Sequence, residues 1–256
     1  MVAGAISSRI IRNIRGDGTV RAAEHATCSP HIDGAPHGAS LVCCHAEPPH
    51  PPPHRVILAL LKSSTAADHR RVEAAMPSLA ELAHPDGYAW SLRAMHRFFL
   101  AWEAPLFDAL AGADDRLTLA ERGKVSLLSA DLAALRLAPL VAPCLMPGDV
   151  VASPAIALGA MYVLEGSTLG GRVIERHCAG PLGVSPAHGG AFYHGYGART
   201  GALWRAFGAV LESHATDERQ RAAMVHGARS CFGALRAVLE SIPAPFRTHQ
   251  AARRNG

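Results

Sequence analysis

A histidine and a lysine seven residues apart, and four glycines within one short stretch, are the positions in this chain whose types and spacing could do chemistry. His69 and Lys62 fall in the text LKSSTAADHRRVE at 61–73. Leu61, Thr65, His69, Val72 and Met76 follow one another at spacings of 4, 4, 3 and 4, which is one face of a helix. His69 therefore interrupts an apolar stripe. Its chemistry would be metal ligation, because a neutral imidazole binds a metal through one ring nitrogen. The alternative is a hydrogen-bonded core histidine, which is equally at home on such a face. Lys62 lies two turns less about 20° from His69 and about 10 Å along the axis. That offset suits a central iron and a carboxylate at the edge of one porphyrin, and it permits that arrangement without requiring it.

The glycines lie in SPAIALGAMYVLEGSTLGGRVIERHCAG at 153–180. Ser153 is a capping residue and Pro154 suits the first turn, so a helix starts here. Gly180 and Pro181 read as its stop. Gly159, Gly166, Gly170 and Gly171 lie inside, each costing about 1 kcal/mol relative to alanine. Gly166 and Gly170 share a face one turn apart. Such a face lets a flat ligand approach the backbone, or it lets a second helix pack closely. The Gly166-Ser167 pair is a usual place for a kink. Glu165, Arg172, Glu175 and Arg176 interrupt any membrane span.

Helices must position these residues. One is predicted over 56–76. A second runs from Tyr88 to Leu106, with Tyr88, Leu92, Met95, Phe99, Trp102 and Leu106 inward and His96 beside that stripe, structural or exposed. A third covers 119–137, followed by a connection holding Pro139, Pro143 and Pro147. After the glycine helix, residues 180–200 read as a loop, with His177, His188 and His194 at the surface. Helices resume over 201–211 and from a cap at Thr216 to about Glu240. No alternating strand pattern appears, and the fold class is all-α.

Hydrophobic residues make up 49% of the 256, with only 5% aromatic, which favours an alanine- and leucine-rich helical core. The net charge of +4 comes without a basic run or basic-aromatic patch, so nucleic acid is not indicated; docking of an acidic protein is compatible with it. The six cysteines show no CxxC spacing, and a reducing, cytoplasmic compartment is expected. Residues 1–54 differ from the rest, with six histidines, Cys43-Cys44 and a proline cluster. They read as an extension that cannot bury enough apolar surface to fold, or as a metal-binding tail. The expected organisation is this extension, a helical domain over 55–246 and a frayed tail over 247–256.

Taken together, two stretches resemble one family. YVLEGSTLGGRVIERH at Tyr162–His177 resembles the distal helix of biliverdin-producing heme oxygenases, especially the bacterial ones associated with phytochromes. LKSSTAADHRRVE resembles that family's proximal helix, in which a threonine precedes the heme-ligand histidine by four residues. GYAWSLRAMHRFF at Gly87–Phe99 and TGALWRAFGAVLE at Thr200–Glu212 are weaker matches, and the resemblance spans about 55–240.

The resemblance implies a multi-helix fold holding heme between a proximal and a kinked distal helix. It implies His69 as the iron ligand, Gly166 and Gly170 as the distal glycines over the iron, and Lys62 and Arg205 as partners of the propionates. Ser167 stands where the animal enzymes carry an aspartate that organises distal water. The implied reaction is O₂-dependent cleavage of heme to biliverdin, ferrous iron and carbon monoxide, with heme as both substrate and cofactor. Electrons would come from a separate ferredoxin or reductase, since the glycines lie inside a helix and form no nucleotide fingerprint. A bacteriophytochrome is a candidate recipient of the biliverdin. The competing readings are a non-catalytic heme-handling protein on the same fold and a helical interaction protein in which the glycines only pack.

Overall fold

The computed structural model describes residues 56–141 and 148–244. The expectations for residues 1–54, the prolines at 143 and 147 and the basic tail after Arg247 lie outside these. Ten α-helices and two 3₁₀ turns follow one another among the described residues, and no β-strand forms. They are α1 (Val56–Ser64), α2 (Ala66–Ala75), α3 (Leu79–Leu82), α4 (Pro85–Leu110), α5 (Leu119–Arg122), α6 (Val125–Ala134), α7 (Pro154–Leu182), α8 (Ala191–His194), α9 (Thr200–His214) and α10 (Glu218–Ser241).

α4 and α7 run through the core. α4 starts at Pro85 with Asp86 in its first turn, where the dipole favours an acid. All six apolar residues predicted for its inner stripe are buried. Phe98 stacks on Trp102 at 5.3 Å, and Phe99 meets Phe192 edge-on at 5.4 Å. α7 crosses α10 where both carry glycine. A Cβ on Gly159 would lie 1.9 Å from the carbonyl oxygen of Met224, and one on Gly227 would lie 1.9 Å from that of Ile156. The two backbones touch directly, and any side chain at either position would separate them.

Several boundaries differ from the sequence reading. The helix expected over 56–76 is divided at Thr65, whose hydroxyl donates to the Leu61 carbonyl at 2.7 Å. A threonine that bonds back to its own turn offers the chain an alternative to regular helix. The backbone bonds still continue through it, Thr65 to Leu61 at 3.0 Å and His69 to Thr65 at 2.9 Å. The helix expected over 119–137 is two, α5 and α6. The buried carboxylate of Glu103 on α4 accepts from the backbone N–H groups of Lys124 and Val125, so a distant side chain starts α6 afresh. α7 does not stop at Gly180 and Pro181. It continues to Leu182 and ends at Gly183, whose φ of 64° is the left-handed cap that glycine adopts freely. Part of the expected 180–200 loop is helical, as α8 and a 3₁₀ turn at Gly197–Arg199. α10 is capped by Asp217 rather than Thr216, its carboxylate accepting from Gln220 N at 2.8 Å.

His96 is buried, with Nε2 3.2 Å from the Ser129 hydroxyl, which resolves its role as structural. His194 is only partly exposed and pairs with Glu175 of α7 at 2.6 Å, so it braces the segment after α7 rather than standing free at the surface.

Candidate functional site

Of the five glycines inside α7, Gly180 is exposed in the last turns, and the other four divide into two pairs. Gly159 packs on α10, and a Cβ on Gly171 would lie 2.9 Å from the Tyr193 carbonyl oxygen. At Gly166 and Gly170 an added Cβ would meet nothing within 4 Å. Both are partly exposed, and the space beside them is open. Gly159 and Gly166 are seven residues apart and occupy nearly the same face. α10 covers that face at Met224 and leaves it uncovered two turns later.

The proximal side shows a complementary feature. Leu61, Thr65 and Val72 are buried as expected, but the His69 side chain is 44% exposed. It is not a satisfied core histidine. Its Nδ1 lies 3.5 Å from a carboxylate oxygen of Glu73, one turn on, and its ring stands edge-on to Phe232 at 5.8 Å. Nε2 is left for a ligand. An imidazole whose second nitrogen faces a carboxylate is the usual arrangement of a metal-ligating histidine. Among the described residues no group of three or more His, Cys, Asp or Glu side chains is placed to hold a bare ion. A metal at His69 would need most of its ligands from a non-protein source such as a porphyrin.

The two stretches come close at one place. The Tyr162 hydroxyl, one turn before Gly166, lies near the Thr65 side chain, one turn before His69. Burial pushes the Tyr162 hydroxyl up to about 12, so it stays protonated. The Tyr162 ring leans on Trp204 of α9 at 5.9 Å. Tyr162, Gly166 and Gly170 share one face of α7, with the aromatic residue closing the end of the bare strip.

The remaining predicted residues are less constrained. Lys62 and Arg205 are exposed, on α1 and α9, and both are able to reach an anionic group. Ser167 is half-buried, and its hydroxyl donates to the Leu164 carbonyl at 2.7 Å. With its proton committed to the backbone, Ser167 offers acceptor lone pairs rather than a free donor.

Behind α7 lies a cluster that the sequence did not reveal. Arg122 donates to a Glu165 oxygen at 2.8 Å, both side chains almost fully buried. The Tyr196 hydroxyl donates to the other Glu165 oxygen at 2.6 Å. The Lys124 ammonium donates to the Arg122 carbonyl at 2.7 Å and sits 3.6 Å above the Tyr196 ring. Burial pulls Lys124 down to about 8, although Glu165 and Glu103 oppose the shift. Burial raises Glu103 against the pull of its bonds to the Lys124 and Val125 N–H groups. The partners are far apart in sequence, which no local pattern could signal. Glu73 and Tyr162, by contrast, stand at helical spacing from His69 and Gly166 and were open to inspection.

Comparison with known proteins shows the family and the fold. A heme oxygenase family model matches residues 149–241, which contain α7, α9 and α10. A heme oxygenase from Xanthomonas campestris pv. campestris is 33% identical over 165 residues, covering 62% of this chain and 93% of that protein. The NO- and CO-bound heme oxygenase structure from Neisseria meningitidis aligns with a TM-score of 0.62 at 23% identity, over 74% of this chain and 96% of that one. Heme oxygenase 2 of Chlamydomonas reinhardtii, solved without heme, aligns with a TM-score of 0.60 at 19% identity over 74% and 98%. The structures share the all-α fold, and the Xanthomonas relative, matched along nearly its whole length, decides the family. The chain belongs to the heme oxygenases.

Proposed function

We infer that this protein is a heme oxygenase that binds heme between α2 and the bare strip of α7. It cleaves heme with O₂ and supplied electrons to biliverdin, ferrous iron and carbon monoxide. The observation that carries the placement is the open space beside Gly166 and Gly170, one turn apart on one face, while the side-chain positions of Gly159 and Gly171 are filled by neighbouring backbone.

Each residue then has a physical task. His69 presents Nε2 to the iron while Glu73 holds Nδ1, which fixes the ring's orientation. Lys62 and Arg205 form charge-assisted bonds to the two propionates and limit rotation of the ring in its slot. Bound heme supplies the iron at which O₂ is reduced, and the protein supplies binding, orientation and electrostatics. Gly166 and Gly170 leave room beside the helix backbone for O₂ and for water. The Ser167 oxygen accepts a hydrogen bond from such a water, and protons arrive through water rather than from the serine itself. The back-bonding hydroxyls of Ser167 and Thr168 favour bending of α7 at this level, which supports a kinked distal helix that flexes to release product.

Electrons come from a separate ferredoxin or reductase, and the net charge of +4 suits an acidic donor. A bacteriophytochrome is the proposed recipient of biliverdin and the cytoplasm the proposed site of action. Among the described residues no helix is long and apolar enough to cross a membrane. The three parts proposed for the chain are the extension over 1–54, the helical domain over 55–246 and the tail. Hemin titration followed by reductant and air tests the whole reading. A Soret shift followed by a biliverdin spectrum is expected. A stable heme complex without turnover would leave a heme-handling protein, and no Soret shift would remove heme altogether.

A further inference from the structure

α7 is held from behind by a closed set of charges. Glu103, Arg122, Lys124 and Glu165 are all at least 95% buried, and together they carry no net formal charge. Replacing a buried ion pair with apolar side chains of similar volume often leaves stability unchanged or higher. Stability alone therefore does not account for four buried ions clustered at one place in a mainly apolar core. Direction does account for them. Apolar packing tolerates small slides and rotations, whereas the Arg122–Glu165 pair and the Tyr196 bond close in one register of α7 only.

The register they select is the one that matters for the site. Glu165 accepts from Tyr196, and a Cβ added at Gly195 or Gly171 would meet Thr168 or the Tyr193 carbonyl, so Glu165, Thr168 and Gly171 face the segment 193–196. At 100° per residue these three lie within about 120° of arc, centred roughly 180° from the Gly166–Gly170 strip. A rotation of α7 by about 60° would bring Leu169 to the azimuth of Gly166, between Gly166 and Gly170 along the axis, and put a side chain on the bare strip. We propose that Glu165 is a positioning residue for heme cleavage. Clamped by Arg122 and Tyr196, it fixes the rotation of α7 and thereby sets which meso carbon of the porphyrin is cut. The proposal rests on the placement of heme at the glycine strip and adds a determinant on the opposite face.

The test uses the full chain loaded with heme. Glu165→Gln keeps the side-chain volume and removes the charge. The readouts are the C–O stretching band of the ferrous CO complex and the biliverdin isomer ratio by chromatography, at a temperature where circular dichroism shows native helix content. The clamp predicts a shifted or split band and an isomer ratio broadened relative to wild type, with the Michaelis constant for heme changed less than about threefold. Glu165→Asp, which retains the charge, moves both readouts back toward wild type. A folded Glu165→Gln protein with an unchanged band and isomer ratio overturns the proposal. If that variant does not fold, Tyr196→Phe removes a single clamp bond and takes its place; wild-type behaviour there overturns it equally. Gly170→Leu separates the two ideas. Unchanged turnover and CO band in that variant refute the heme placement itself, whatever Glu165→Gln does.

Discussion

At the scale of single residues, His69 and Glu73 form a pair with separable effects. His69→Ala removes the proposed axial ligand. The heme spectrum should lose its imidazole signature, and turnover should fall by more than about tenfold, equivalent to about 1.4 kcal/mol in the barrier. External imidazole should restore part of the spectrum; a variant with wild-type spectra would free His69 of this role. Glu73→Gln leaves the ligand in place and changes only its outer partner. Loss of such partners costs about 10–100-fold in metal affinity or activity, so an intermediate defect is expected in hemin titration and turnover. The exposure of His69 was not legible from the 4-4-3-4 stripe. The spacing put His69 in line with Leu61, Thr65 and Val72, which are buried, but the His69 side chain itself stays partly exposed, which depends on the packing around α2 and not on periodicity.

At the scale of elements, four glycines with one letter in the sequence have two meanings. Gly166→Ala fits the available space and removes an unfavourable helix residue, so it should stabilise α7 by up to about 1 kcal/mol while altering turnover or isomer ratio. Gly159→Ala or Gly227→Ala drives a methyl group into a carbonyl of the facing helix. Each should destabilise by about 1–3 kcal/mol or more, as overpacking does. Thermal melts of the three variants check both signs; a stabilised Gly159→Ala would refute the contact. The sequence could not sort these glycines, because the neighbours that fill Gly159 and Gly171 come from residues 224 and 193. The same holds for the break between α5 and α6. Residues 119–137 read as one helix, and the split depends on Glu103, which reaches across from α4. Helix identities and inner faces were legible because they follow local periodicity. Ends such as Gly183 and Asp217 were missed by one to three residues because caps depend on backbone geometry at single positions.

At the scale of the whole molecule, buried His96 predicts acid sensitivity. Burial lowers its pKa from the ordinary value of 6.5, so the unfolded chain binds this proton more readily than the folded one. Stability from this site is complete above pH 6.5 and is lost as pH falls through the lower folded value, at a slope of up to about 1.4 kcal/mol per pH unit. Melting temperature measured from pH 7.5 to 5 should therefore decline less steeply in His96→Asn than in wild type. An equal or steeper decline would exclude His96 as the cause. The net charge predicts a second bulk property. Turnover driven by an acidic ferredoxin should slow as salt is raised from 0.05 to 0.5 M, because a Debye length of about 10 Å at 0.1 M shortens severalfold over that range. Turnover driven by ascorbate should change much less. A salt-independent ferredoxin rate would remove electrostatic docking.

The paired backbone contacts of Gly159 with Met224 and of Gly227 with Ile156 have a mechanical meaning. They mark the point at which α7 and α10 cannot part without losing backbone contact, so it acts as a fulcrum. Gly170 lies eleven residues away along α7, a lever arm of about 16 Å, and a tilt of about 5° would move it by about 1.4 Å. Release of a product bulkier than the flat substrate would then require no unfolding of either helix. A small tilt about this pivot would open the far end of the proposed heme slot and stretch the Glu165 bonds on the way, so the clamp that sets the resting position of α7 also opposes its opening.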